Sequence, residues 1–264
     1  MADFAKRFRW FRIGVLLVVL AAVAWNQWAS IRKIRTWVEP LVVAIYPAPE
    51  SPKEARFAQS LQPEDFAKIS DFLAREALRH GLGFEPDVRF VVTEPLEAFP
   101  PLPHPGIGWL GTLVYSLKLR WWSFWELGRV EDPEPDIRVV LLLHPARKGA
   151  VLDHSLGLMR GQVALVHAFA DRELTGMMRV VVTHELMHIA GAHTDSYGAD
   201  GVRQFTEVYA DSERGRDRDQ TRAVLMAGSI PLADGSVRLP TGLDECLIGR
   251  KTAREIDWIE PETP

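Results

Sequence analysis

The chain has 264 residues, 47% hydrophobic and 25% charged, enough to bury the core of one good-sized domain with an appendage. Its 18 prolines and 19 glycines fall without a period, which excludes a fibrous or coiled-coil design, and a net charge of -4 with the two signs mixed argues against nucleic acid as a partner. Cys246 is the one cysteine, so neither an intrachain disulfide nor a cysteine-only metal site is available.

Residues 1-35 read as an anchor or signal segment. Lys6, Arg7, Arg9 and Arg12 precede the uncharged run IGVLLVVLAAVAW, and Arg32, Lys33 and Arg35 follow it. The run from Ile13 to Trp28 is shorter than the roughly 20 residues of a bilayer span, and Trp10, Phe11 and Trp28 extend it towards the two interfaces. The expectation is a single-pass transmembrane helix with the body extracytoplasmic. Ala22-Val23-Ala24 keeps a cleaved signal, and hence a secreted or periplasmic chain, as the alternative.

Residues 36-84 read as linker and accessory helix. LVVAIYPAPESP suggests a short strand or extended linker ending in a proline-rich turn. Phe66, Ile69, Phe72, Leu73, Ala77 and Leu78 recur at helical spacing between Pro63 and Gly81, which predicts a helix over about 63-80. The main domain, 85-264, then opens with a strand at Val88 to Thr93. After a proline-rich loop, Leu113, Leu117, Trp121, Phe124 and Trp125 share one broad helical face, suited to the core or to a membrane surface or partner. IRVVLLLHP, Ile137 to Pro145, predicts a central strand, and Gln162 to Ala170 another. A helix capped by Asp171 or Thr175 follows through Met178, Val182, Leu186 and Ile189, with Gly191 as its left-handed C-cap.

That helix carries His184-Glu185-Leu186-Met187-His188. Histidines four residues apart emerge on one face and can share an ion. Glu185, turned about 100° from His184, is placed to take a proton from water attacking a carbonyl. His-Glu-x-x-His alone arises by chance. Here the imidazoles and carboxylate sit in an otherwise apolar helix, where they are costly unless used, and a glycine follows where the chain must turn back towards the ion. For the third ligand the residues leave His193, Asp195, Glu207 and Asp211 open, with chain reach favouring the first two.

The stretch resembles the extended zinc signature of metzincin metallopeptidases, HExxHxxGxxH, in which Asp can replace the last His. It resembles more closely an uncharacterised group of predicted bacterial envelope metallopeptidases with HELLHTLGATDKYD, a segment like AELMAGRIPL and a tail like LDECVVGPATAREIGW. The matching pieces here are HELMHIAGAHTDSYG, AVLMAGSIPL from Ala223 to Leu232, and LDECLIGRKTAREIDW from Leu243 to Trp258, with HSLGLMRGQVALVHAFA upstream. The resemblance implies an α+β fold, a metzincin-like zinc-peptidase domain with a mixed sheet packed on the active-site helix. It implies His184 and His188 as Zn(2+) ligands and Glu185 as general base. The metzincin third-ligand position falls on Thr194. One extra residue in this chain moves the group's aspartate to Asp195 and its tyrosine to Tyr197, with His193 the competing ligand. Met226 matches the methionine of the turn beneath the metal. Substrate peptides would add to a sheet edge, for which the QVALVHAF strand is suited, with His167 or Tyr197 lining the cleft or serving the oxyanion.

The expected activity is zinc-dependent endopeptidase action on protein or peptide substrates. The alternatives are a metal-stabilised binding or scaffold domain without catalysis, and a zinc amidase acting on cell-wall peptides.

Overall fold

Strand-like runs that are apolar at every position need cover on both faces, and that requirement organises the protein. The computed structural model describes residues 2-102, 108-127, 134-146, 156-158, 162-193, 195-197, 203-205, 209-214 and 218-260, with backbone alone at 2-9, 27, 156-158, 195-197, 203-205 and 212. Strands β1 (Leu41–Pro49), β2 (Val88–Val92), β3 (Ile137–His144), β4 (Leu156–Leu158) and β5 (Val163–Phe169) form one sheet in the order β2-β1-β3-β5-β4. All neighbours run parallel except β4, which is antiparallel to β5. With helices α1 (Ala2–Thr36), α2 (Pro52–Gln59), α3 (Ala67–Arg79), α4 (Trp109–Glu126), α5 (Thr175–Ala190) and α6 (Arg250–Glu255), the fold is mixed α+β.

Alternation along each strand divides the core. Val43, Ile45, Val139, Leu141, Ala164 and Val166 face α3 and α5, where Ile69, Phe72, Met178, Val182 and Leu186 meet them. Ala44, Tyr46, Val140, Leu142, Val163 and Leu165 face the other way and receive Leu119 of α4, with Tyr115 and Trp122 beside it. Three small pairings finish the domain: β6 (Asp195–Tyr197) with β7 (Arg203–Phe205), β8 (Ala223–Val224) with β11 (Cys246–Leu247), and β9 (Ile230–Pro231) with β10 (Val237–Arg238).

Of the two expectations for LVVAIYPAPESP, short strand or extended linker, the strand holds: it is β1, buried between β2 and β3. Pro47 and Pro49 are what kept the linker open as the alternative. Leu41 N donates to Asp87 O on the β2 side, whereas Glu50 N donates to Leu143 O on the β3 side, so the odd-numbered residues point their polar groups towards β2. β2 pairs only as far as Ile45. The two prolines therefore lack donors where no ladder partner requires them.

The strand expected at the sheet edge differs. β5 is flanked by β3 and β4, and its near-continuous burial is that of an interior strand; β4 is the edge on that side of the sheet. The cap of α5 is Leu174, without a side-chain bond, in place of Asp171 or Thr175. Asp171 Oδ1 instead accepts from Glu173 N at 2.9 Å, and Thr175 donates to Arg172 O at 2.8 Å.

α1 is long and apolar enough to cross a membrane, and its described side chains are exposed from Trp10 to Ala29. Its last turns belong to the domain. Ser30 accepts from Gln162, Lys33 holds both carboxylate oxygens of Asp136 at 2.8 Å, and Arg35 pairs with Asp257 at 2.8 Å. Ile34 and Trp37 are buried, Trp37 edge-on to Trp258 at 5.7 Å.

Candidate metal centre

α5 tolerates Val180-Val181-Val182-Thr183 because most of its sides are covered: Met178, Val180, Val182 and Thr183 are buried, and Thr183 Oγ1 donates to Arg179 O at 2.7 Å. Its first turn passes so near the tail that a Cβ on Gly176 would stand 2.1 Å from Thr241 O. At its other end Gly191 adopts φ 118°, the left-handed C-cap, and turns the chain back across the helix end.

That reversal reaches His188, whose Nδ1 donates to Ala192 O at 2.9 Å. His184 Nδ1 donates to Leu225 O at 3.1 Å. A carbonyl only accepts, so both Nδ1 atoms carry hydrogen and, in neutral rings, both Nε2 atoms carry lone pairs. The two Nε2 atoms face each other at 3.1 Å. Two lone pairs at that distance repel unless a proton or a metal ion joins them. Nitrogens bound at about 2.0–2.1 Å to one tetrahedral zinc stand about 3.3 Å apart, so the spacing and fixed tautomers fit a shared ion. Glu185, next in sequence, is 3% exposed.

The Leu225 carbonyl comes from a single 3₁₀ turn, Leu225–Ala227, which packs against α5 and ends at Gly228 with φ 69°. Met226, within it, is buried in the core shared with α5. β8 leads into this turn and is held by β11, with Cys246 opposite Ala223. The residue after β11, Ile248, donates its N–H to Glu76 Oε2 at 2.8 Å, and the same carboxylate takes Arg79 Nε at 2.9 Å. Buried Glu76 thus ties α3 to the tail, the tail to the turn, and the turn to His184. Burial pushes the Cys246 thiol up to about 12, suiting it to packing and not to thiolate ligation.

The other sequence-derived candidates lie as follows. His193 is exposed, its N–H donating to Glu255 Oε2 at 2.8 Å. Asp195 and Tyr197 lie on β6, opposite Phe205 and Arg203; their side chains, like Thr194, Glu207 and His154, lie outside the described residues. Asp211 binds Arg222 at 2.9 Å and Thr221 at 2.8 Å, bonds that hold its carboxyl below the usual range, and it lines an open depression with Ala210, Glu213 and Arg214. Among the described residues, no three His, Cys, Asp or Glu gather as a metal-binding group.

His167 does not join the two histidines of α5. Its place on β5 puts it on the face of Val163 and Leu165, opposite the face that carries α5. There it forms an array that sequence reasoning missed. His144 Nδ1 donates to Glu50 Oε2 at 2.8 Å, and His167 Nδ1 lies 2.8 Å from His144 Nε2, the rings stacked with centroids 5.0 Å apart. Phe99 meets His144 edge-on. His144 and His167 are 23 residues apart and two out of register, so only the β3–β5 pairing could have revealed them.

Comparison with protein-family models and with curated proteins finds no match.

Proposed function

We propose that the chain is a zinc-dependent endopeptidase in a metzincin-like domain, anchored by α1 as a single-pass span with the domain extracytoplasmic. One observation carries the reading: His184 and His188 turn their Nε2 atoms together at 3.1 Å while backbone carbonyls occupy both Nδ1 atoms. Zinc supplies Lewis acidity for a scissile carbonyl and its attacking water. His184 and His188 hold it, and Leu225 O and Ala192 O fix the rings. Glu185 accepts the water's proton and passes it to the leaving amine.

Asp195 is the proposed third ligand and His193 its alternative, since the chain passes His188 at Ala192 immediately before them. Tyr197 is a candidate for the oxyanion. Edge strand β4, against which α5 packs, takes over from β5 as the strand to which an extended substrate would add.

The test is zinc content and proteolysis of the full chain in detergent, for wild type, Glu185→Gln, Asp195→Ala and His193→Ala. The expected result is equimolar zinc in wild type, retained in Glu185→Gln with hydrolysis reduced about 10²–10⁴-fold, and lost chiefly in Asp195→Ala. A folded wild-type chain that takes up no zinc sinks the proposal. Zinc without cleavage of any protein or cell-wall peptide leaves the scaffold alternative, and cleavage of muropeptides alone leaves the amidase.

A further inference from the structure

α4 is apolar on two sides. Its inner side packs Leu119, Tyr115 and Trp122 on the sheet. Its outer side exposes Trp109, Leu110, Leu113, Val114, Leu117, Trp121, Phe124 and Trp125, each more than half open to solvent. At about 100° per residue these eight fall within an arc of about 160°, along a helix of 18 residues or about 27 Å. The exposed face is on the order of 900 Å², beyond the roughly 300–600 Å² of the largest patch on a typical monomer. Lys118 stands at one border of the arc and Arg120 about 20° inside the other, exposed positions from which long cationic side chains can reach phosphates beside an apolar face.

The covering partner follows from how α1 meets the domain. The exposed part of α1, Trp10 to Ala29, spans about 30 Å, the thickness of a bilayer core. The next residue, Ser30, already bonds Gln162, and Lys33 is clamped to Asp136. No linker separates span from domain, so the edge where β3 and β5 begin must rest on the headgroups. α4 leads back to that edge: the chain after it re-enters the sheet at Asp136. Three of its exposed aromatics, Trp121, Phe124 and Trp125, fall in its last six residues, and tryptophan favours the interface.

We infer that the outer face of α4 beds in the same lipid bilayer that α1 crosses, giving the domain a second membrane contact and a fixed orientation; this rests on the reading of α1 as an anchor.

The experiment uses the full chain in phosphatidylcholine–phosphatidylglycerol vesicles, with an environment-sensitive fluorophore at Leu20→Cys, Leu117→Cys, Phe124→Cys or Val237→Cys, and quenchers carried on lipid acyl chains. The parent chain, with buried Cys246, serves as the unlabelled control. The expected result is a blue shift and loss of emission at Leu20, Leu117 and Phe124, with Val237 on β10 unaffected. Quenching at Leu20 with none at Leu117 and Phe124 overturns the inference and leaves the anchor standing. Absence of quenching at Leu20 overturns the anchor reading and the inference with it. Lipid-protected Phe124→Cys that cross-links between chains assigns the face to a second copy instead, and also overturns it.

Discussion

Among the described residues two pairs of imidazoles touch, one on each side of the sheet, and they close their hydrogen bonds in opposite ways. In the Glu50–His144–His167 array every contact has one donor and one acceptor: carboxylate, Nδ1–H, Nε2, Nδ1–H. The array is internally consistent without an ion. In the α5 pair both Nδ1–H groups are spent on carbonyls, and the remaining nitrogens meet acceptor to acceptor. Similar ring separations, 5.0 and 4.8 Å, thus carry different chemistry. The hydrogen bonds on the far side of each ring decide which pair is arranged to share an ion.

The largest effect expected from this contrast concerns metal. His188→Ala should reduce zinc to background in elemental analysis of the full chain, while His144→Ala should leave it at the wild-type level. If His144→Ala empties the chain as well, the two pairs act as one site and the contrast fails.

How far each pair could be read beforehand follows from the same geometry. His184 and His188 were legible because helical periodicity converts a spacing of four into contact, and the Gly191 cap was legible because a left-handed residue there favours glycine. The carbonyls that orient the rings were not: Leu225 lies 41 residues beyond His184 and contributes its backbone, which leaves no side-chain signature. Glu50 and His144, 94 residues apart, meet only because β1 pairs with β3, and Pro47 and Pro49 left β1 open between strand and linker. A run as apolar as VALVHAF belongs inside a sheet, and the edge strand beside it, β4, is three residues long. The α1 span was visible in composition. Its docking was not, because Lys33 finds Asp136 across 103 residues.

A second, smaller effect separates the pairs by stability. His167 is 8% exposed, and His144→Ala leaves its Nδ1–H without the acceptor it has in the array. Loss of one hydrogen bond costs about 0.5–1.5 kcal/mol, so urea unfolding should show a loss of that size with hydrolysis per folded molecule unchanged. A stability equal to wild type would make the array incidental. A drop in hydrolysis beyond the folded fraction would tie it to the active side of the sheet.

The smallest effect tests a third region, which touches α5 at the end away from its histidines. Glu245 accepts from Arg238 at 2.8 and 3.0 Å and from Thr241 N at 2.7 Å, and these bonds, Arg238 foremost, lower its carboxyl from 4.5 to about 2. Thr241 also presents the carbonyl against which Gly176 packs, so the network steadies the loop on the first turn of α5. Because the folded pKa lies below the unfolded one, this stabilisation is complete above about 4.5 and disappears as pH falls through about 2. The network is open to solvent on one side, which limits it to about 0.2–1 kcal/mol. Thermal unfolding of wild type and Glu245→Gln between pH 7 and pH 2 should start with a small wild-type advantage that closes at the acid end. An advantage that persists at pH 2 would assign the effect to packing of the carboxylate, not its charge. Zinc content at neutral pH should match in the two proteins, since the ring-holding carbonyls of Ala192 and Leu225 belong to other segments of the chain.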